Sequence, residues 1–138
     1  MNYKEILLEK IENRSAVIGI IGLGYVGLPL AIAFSKHFSV VGFDHRKSRI
    51  IELQKNIDRT NEIESNELKN SNIKFTSNSN DLKLANFHII AVPTPLNSSK
   101  NPDLSMIIEA TETIAKQLSH GDIVVYESTV YPGLTEEL

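Results

Sequence analysis

Three glycines, in the run Gly22-Leu23-Gly24-Tyr25-Val26-Gly27, follow the apolar stretch Ala16–Ile21 (AVIGII). This GxGxxG spacing can hold an anion. Gly22 permits a tight turn, Gly24 lets backbone amides approach a diphosphate with no Cβ in the way, and Gly27 lets a helix pack close to the strand. The N-terminus of such a helix carries roughly half a positive charge and free N–H groups, which suit a diphosphate. Alone the motif is weak, and a glycine-rich turn without a ligand is the alternative. Its content comes from the buried strand before it and the helix after it. Pro29 removes one helical donor, early enough in that helix to be tolerated.

Asp44 ends a second apolar run, Val40–Phe43, twenty residues after Gly24. An acid there meets the adenosine ribose hydroxyls of a dinucleotide. Accepting two hydroxyl hydrogen bonds contributes on the order of 1.5–3 kcal/mol. The same charge repels a 2′-phosphate, so NAD is favoured over NADP. Asp44 can also cap the next helix, and the two roles coexist. Arg46 and Lys47 complicate the choice, because cations nearby tolerate a phosphate. Arg49, one turn into the next helix, either flanks the adenine or a ribose or is a solvated helix residue.

Two more loops carry polar groups. Val92-Pro93-Thr94-Pro95 stiffens the backbone around one hydroxyl, and reads as a cofactor contact or a rigid turn. Glu127-Ser128-Thr129-Val130-Tyr131-Pro132-Gly133 brings two hydroxyls and a carboxylate to the end of another apolar run. Other chemistries are missing. There is no GxxxxGK[ST] and no GxSxG. With no cysteine, disulfides, thiolate metal sites and a cysteine nucleophile are excluded within these residues. His37, His45, His88 and His120 lack metal-ligand spacing, and His88 reads as a core histidine.

These residues need elements to position them. Tyr3–Asn13, Tyr25–Lys36, Arg46–Gln54 and Leu104–Leu118 carry helical apolar spacing, with Asp103 placed to cap the last. Ala16–Ile21, Val40–Phe43, Ile73–Phe75, Phe87–Val92 and Ile123–Tyr126 read as strands. Asn56–Asn72 is polar but too short for a domain linker, and Asn97–Asn101 reads as a mobile loop. Alternating strands and helices, with strand cores apolar on both faces, predict an α/β fold. It is a Rossmann-type doubly wound parallel sheet with helices on both faces. The Gly/Pro clusters fall at the carboxyl ends of its strands, where such sheets carry their sites.

The 138 residues suit one domain, with 41% hydrophobic and 22% charged residues. Fourteen Lys+Arg against 17 Asp+Glu leave a net charge of -3 and no basic stripe, which argues against nucleic acid as a partner. No apolar run is long enough to span a membrane. The mixed charge of Met1–Ser15 is wrong for a signal peptide, so the expected location is the cytoplasm.

The segments GLGYVGLPLA (22–31), GFD (42–44), AVPTPL (91–96), PDLS (102–105) and YESTVYPG (126–133) together resemble the UDP-glucose/GDP-mannose dehydrogenase family, N-terminal NAD-binding domain. YESTVYPG, followed by Thr135-Glu136-Glu137, is most similar to the UDP-N-acetylhexosamine 6-dehydrogenase branch, which serves capsule, Vi-type and O-antigen polysaccharides. The resemblance implies oxidation of a UDP-sugar C6 alcohol to the carboxylate with two NAD+, by a full-length protein that forms a homo-oligomer. It also implies a cysteine that captures the aldehyde as a thiohemiacetal and becomes a thioester on the second hydride transfer, before water hydrolyses it. Tyr25 and Pro93 stand inside the matching loops, and Val26, Asp44, Arg49, Thr94 and Thr129 match NAD-contacting positions. Thr129 also matches the threonine that helps hold the catalytic water.

This sequence departs from the family pattern in having no cysteine. Residues 1–138 are therefore expected to be the NAD-binding domain of a longer chain, without the central helix and sugar-binding domain, and inactive toward sugar alone. A stand-alone dinucleotide-binding or sensor module is the alternative. A third reading, a hydroxyacid or acyl-CoA type dehydrogenase, is disfavoured by YESTVYPG.

Overall fold

The computed structural model describes residues 2–128 and Glu136. Five strands form one parallel sheet: β1 (Val17–Ile21), β2 (Ser39–Phe43), β3 (Ile73–Thr76), β4 (Phe87–Ile90) and β5 (Ile123–Tyr126), ordered β3-β2-β1-β4-β5. The three central strands are the continuous apolar runs of the sequence, as burial on both faces requires.

Side chains alternate across the sheet and divide the core in two. Ile18, Ile20, Val40 and Ile89 pack on one face with α2 (Gly27–Ser35), α3 (Lys47–Gln54) and α4 (Ser65–Lys69). Ile21, Val41, Phe43 and Ile90 pack on the other, with Leu82 from a 3-10 helix (Ser79–Leu84) and α5 (Ser105–Ala115). Helices on both faces make this the Rossmann-like architecture expected. The first helix, α1 (Tyr3–Glu12), buries none of its residues. Tyr3 fastens it, stacking on His120 with ring centroids 5.9 Å apart and resting against Gly121.

Some local readings need correction. The helix expected at Tyr25 begins at Gly27, with Pro29 third; Pro29 interrupts the ladder between Leu28 N–H to Gly24 O and Leu30 N–H to Val26 O, at the cost of one bond in the first turn. The helix expected over Leu104–Leu118 runs only from Ser105 to Ala115. Asp103 still caps it, accepting the Ser105 amide at 3.0 Å, although Leu104 occupies the boundary. The polar stretch Asn56–Asn72 contains α4. Asn97–Asn101 is a stapled turn: the Asn97 side chain accepts the amides of Ser99 and Asn101, and Leu96 and Pro102 form an antiparallel bridge at its base.

Candidate functional site

One rung, Thr76–Phe43–Ile21–Ile90–Tyr126, crosses all five strands. The next residue on four strands still donates its amide to that rung. Gly22 donates to Phe43 O at 2.9 Å, Asp44 to Thr76 O at 3.2 Å, Ala91 to Ile21 O at 2.8 Å and Glu127 to Ile90 O at 2.9 Å. The loops after β1, β2, β4 and β5 thus leave the sheet at one level, on one edge.

The glycine loop divides its labour. Gly22 has φ +95°, where a side chain is strained. A Cβ on Gly27 would overlap the carbonyl oxygen of Gly22, so this glycine is needed for the helix to start where it does. A Cβ on Gly24 would meet nothing within 4 Å. The fold does not need Gly24; the open space beside it is what a diphosphate needs.

Asp44 is buried at the end of β2, only 3% exposed. Its Oδ2 accepts the Leu23 amide at 3.1 Å and its Oδ1 the Arg46 amide at 3.0 Å. The first bond ties the acid to the glycine loop, and the second makes it the turn that launches α3. The Arg46 guanidinium forks onto the same carboxylate, Nε to Oδ1 and Nη2 to Oδ2, both at 3.0 Å. Burial alone would raise the carboxyl; the Arg46 side chain and the two amides outweigh it and hold Asp44 below its ordinary range.

Arg49 is not solvated, as one reading of its position allowed. Its side chain is 3% exposed. Nε donates to Leu23 O at 2.8 Å, and Nη2 lies 2.9 Å from Asp58 Oδ1, an ion pair whose angle falls short of a hydrogen bond. Asp58 organises the loop after α3. Its carboxylate accepts the Thr60 hydroxyl at 2.7 Å and the amides of Thr60, Glu62 and Ile63 at 3.0, 2.9 and 3.1 Å. Burial works against this charge, but those donors and Arg49 bring its pKa down to about 2. Asn56 and Asn61 bracket the loop with φ of 61° and 54°.

Two cavities flank the glycine loop. The first lies between Gly22–Gly24, Asp44 and the α5 residues Met106, Glu109 and Thr113. The second holds Gly24, Tyr25, Val26, Thr94 and Ser128, with three guanidinium groups, Arg46, Arg49 and Arg59. Gly24, Arg46, Val92 and Pro93 line both, so the two form one groove across the sheet edge. Its two chambers, with the Gly24 backbone and Arg46 at their junction, match the two nucleosides and central diphosphate of a dinucleotide. The terminal nitrogens of Arg49 are held by charge on Asp58 at 2.9 Å and Glu52 at 3.7 Å, without a hydrogen bond among the described residues.

Residues 16–138 match the UDP-glucose/GDP-mannose dehydrogenase family, NAD binding domain. The chain belongs to this family. NAD is accordingly its cofactor, and the groove fits that cofactor. The chain is 57% identical over 125 residues to the CapL protein of Staphylococcus aureus, covering 91% of this chain and 29% of that one. It is 56% identical over 121 residues to a UDP-N-acetyl-D-glucosamine 6-dehydrogenase of Salmonella typhi, covering 87% and 28%. Among solved structures, a UDP-D-ManNAc dehydrogenase from Pyrococcus horikoshii superposes with a TM-score of 0.81 at 38% identity, over 88% of this chain and 30% of that one. The chain spans under a third of the length of these relatives.

Of the residues expected to form this family's cofactor site, Gly22, Gly24, Tyr25, Val26, Asp44, Arg49, Pro93 and Thr94 line the groove. Gly27 supports it from the helix start. Thr129 lies outside the described residues. The sequence reading missed Asp58, Arg59 and Thr60, and also Glu109 and Thr113. An Asp two residues before a Thr in a polar stretch is an Asx-turn signal for the first group. Glu109 and Thr113 share one side of α5 by their spacing of four. His88 is the core histidine expected, fully buried, but only half satisfied: Nε2 lies 3.3 Å from Asp122 Oδ2, while Nδ1 has no hydrogen bond among the described residues.

Proposed function

We propose that this chain is the N-terminal NAD-binding domain of a longer nucleotide-sugar 6-dehydrogenase. The complete protein oxidises the C6 alcohol of a UDP-N-acetylhexosamine to the uronic acid, for surface polysaccharide biosynthesis. It works in the cytoplasm as a homo-oligomer, with its nucleophilic cysteine beyond residue 138. Converting an alcohol to a carboxylate removes two hydrides, hence two NAD+. The identity of 56% to an N-acetylglucosamine enzyme favours the N-acetylhexosamine substrate. No helix among the described residues is long and apolar enough to cross a membrane.

The observation that carries the reading is the continuous groove with Gly24 open at its centre and Asp44 fixed at one end. NAD+ supplies the hydride acceptor. This chain's residues bind and orient it. The loop Gly22–Gly27 takes the diphosphate, with Tyr25 and Val26 at its exposed rim, and Asp44 takes the adenosine ribose. Arg49 holds the glycine loop through Leu23 O and faces the second chamber, where Pro93 and Thr94 form the wall. Thr129 serves the catalytic water.

Calorimetric titration of the full-length protein tests this. NAD+ binds, NADP+ binds at least ~10-fold more weakly, and Asp44→Ala costs NAD+ about 1.5–3 kcal/mol. Incubation with UDP-GlcNAc or UDP-GalNAc and NAD+ then yields two NADH per sugar. Absence of NADH with every nucleotide sugar sinks the proposal.

A further inference from the structure

Asp44 has no free acceptor. A carboxylate offers about four lone-pair positions. Two are filled by the Leu23 and Arg46 amides, and two by the Arg46 fork. A ribose diol needs two of the same four. The amides are fixed by the backbone, so the guanidinium must give way.

We propose that Arg46 is a built-in competitor for the ribose that weakens NAD+ binding and improves the tolerance for NADP+. The inference rests on the cofactor reading above and deepens it. Three observations carry it. The partners are unequal: the Asp44 side chain is 3% exposed and that of Arg46 52%, so the arginine is the one able to move. The Arg46 side chain makes no other hydrogen bond among the described residues, so leaving Asp44 breaks nothing else. The two amides keep the carboxylate oriented after the fork departs.

Arg46 also lines both chambers of the groove. Once displaced by a ribose, its charge remains at the edge of the site. An arginine near the ribose is how dinucleotide folds accommodate a 2′-phosphate. One residue thus has opposite effects on two cofactors. With NAD+ the ion pair is lost and nothing replaces it. With NADP+ the ligand's phosphate gives the guanidinium a new anion. His45, with Nδ1 3.9 Å from Asp44 Oδ1, is the other group facing this carboxylate, and its side chain is 61% exposed.

The test is calorimetric titration of wild type, Arg46→Ala and Arg46→Lys with NAD+ and with NADP+, on the full-length protein. Melting curves establish that each variant is folded. Arg46→Ala is expected to bind NAD+ about 3- to 10-fold tighter and NADP+ about 3- to 10-fold more weakly, since the fork is half-exposed. Arg46→Lys, which keeps the charge but cannot fork, gains NAD+ affinity and retains NADP+ affinity. The Nε–H resonance of Arg46 in the free protein shifts when NAD+ is added. If Arg46→Ala binds NAD+ no tighter than wild type, competition is overturned while the cofactor reading stands. If its NADP+ affinity is unchanged, the selectivity half is overturned. If wild type itself binds no NAD+, the cofactor reading fails and this inference with it.

Discussion

Arg49 and Asp58 face each other at 2.9 Å, with the carboxylate side chain fully enclosed and the guanidinium nearly so. Through Nε to Leu23 O, the same arginine reaches back to the glycine loop. The pair therefore couples the loop after α3 to the loop that receives the diphosphate. Removing one partner of a buried pair leaves the other uncompensated. Asp58→Ala is expected to destabilise the domain by about 3–5 kcal/mol, with Arg49→Ala similar. Denaturant unfolding measures both. The double variant should cost clearly less than the sum, and strict additivity would show that the two are not coupled.

Acid should find the same pair. The Asp58 carboxyl falls from an ordinary 3.8 to about 2 in the folded chain. A depressed folded pKa gives stability that is fully present above the unfolded value and is lost as pH drops through the folded one. Asp58 thus contributes roughly 2 kcal/mol at neutral pH, fading between about pH 5 and pH 2. Asp44 and Asp81 are lowered too and act in the same direction. Unfolding followed against pH should lose this component in Asp58→Asn; an unchanged acid limb would refute it.

The glycines separate folding from binding. Gly24→Ala enters open space, so melting should stay within a few degrees of wild type while NAD+ affinity falls by ~10-fold or more. Gly27→Ala drives a methyl into the Gly22 carbonyl and should cost stability well before cofactor is added. Melting and titration of both variants decide it. A destabilised Gly24→Ala with normal affinity would reverse the assignment.

Asp122 offers a control remote from the groove. Its Oδ2 accepts the Ser119 amide at 2.8 Å and is the partner of the buried His88 Nε2. Asp122→Ala strands the buried His88 Nε2 and should cost about 1–3 kcal/mol, while the exposed Ser119 amide turns to water. His88 and Asp122 lie toward the amino end of β4 and β5, so NAD+ affinity in the folded variant should not move. A large change in affinity would mean that the sheet transmits strain to its far edge.

The strands were legible because burial on both faces leaves continuous apolar runs such as VIGII and FHII. Gly22, Gly24 and Asp44 were legible because their chemistry is tied to fixed offsets from a strand end. Arg49 was matched to the site by family resemblance, but its pairing was not legible, since its neighbours on α3 cannot show that its partner stands nine residues on, in a polar stretch. That stretch read only as polar because a single carboxylate, Asp58, organises its turn in place of apolar side chains. The stapling of Asn97–Asn101 was missed for the same reason: side-chain-to-backbone hydrogen bonds leave no hydrophobic period.

The shared rung through Ile21, Phe43 and Ile90 sets how chain length can change in descendants of this sequence. One residue inserted within β1, β2 or β4 would advance its loop by about 3.3 Å and turn every later side chain to the opposite face. Gly22 or Asp44 would then leave the groove even though every original residue was kept. The turn Asn97–Asn101 projects from the bridge at Leu96 and Pro102 and fixes no other loop's height. Insertions and deletions should accumulate in that turn and be purged from the three strands, a bias that random-indel libraries selected for NAD+ binding would reveal.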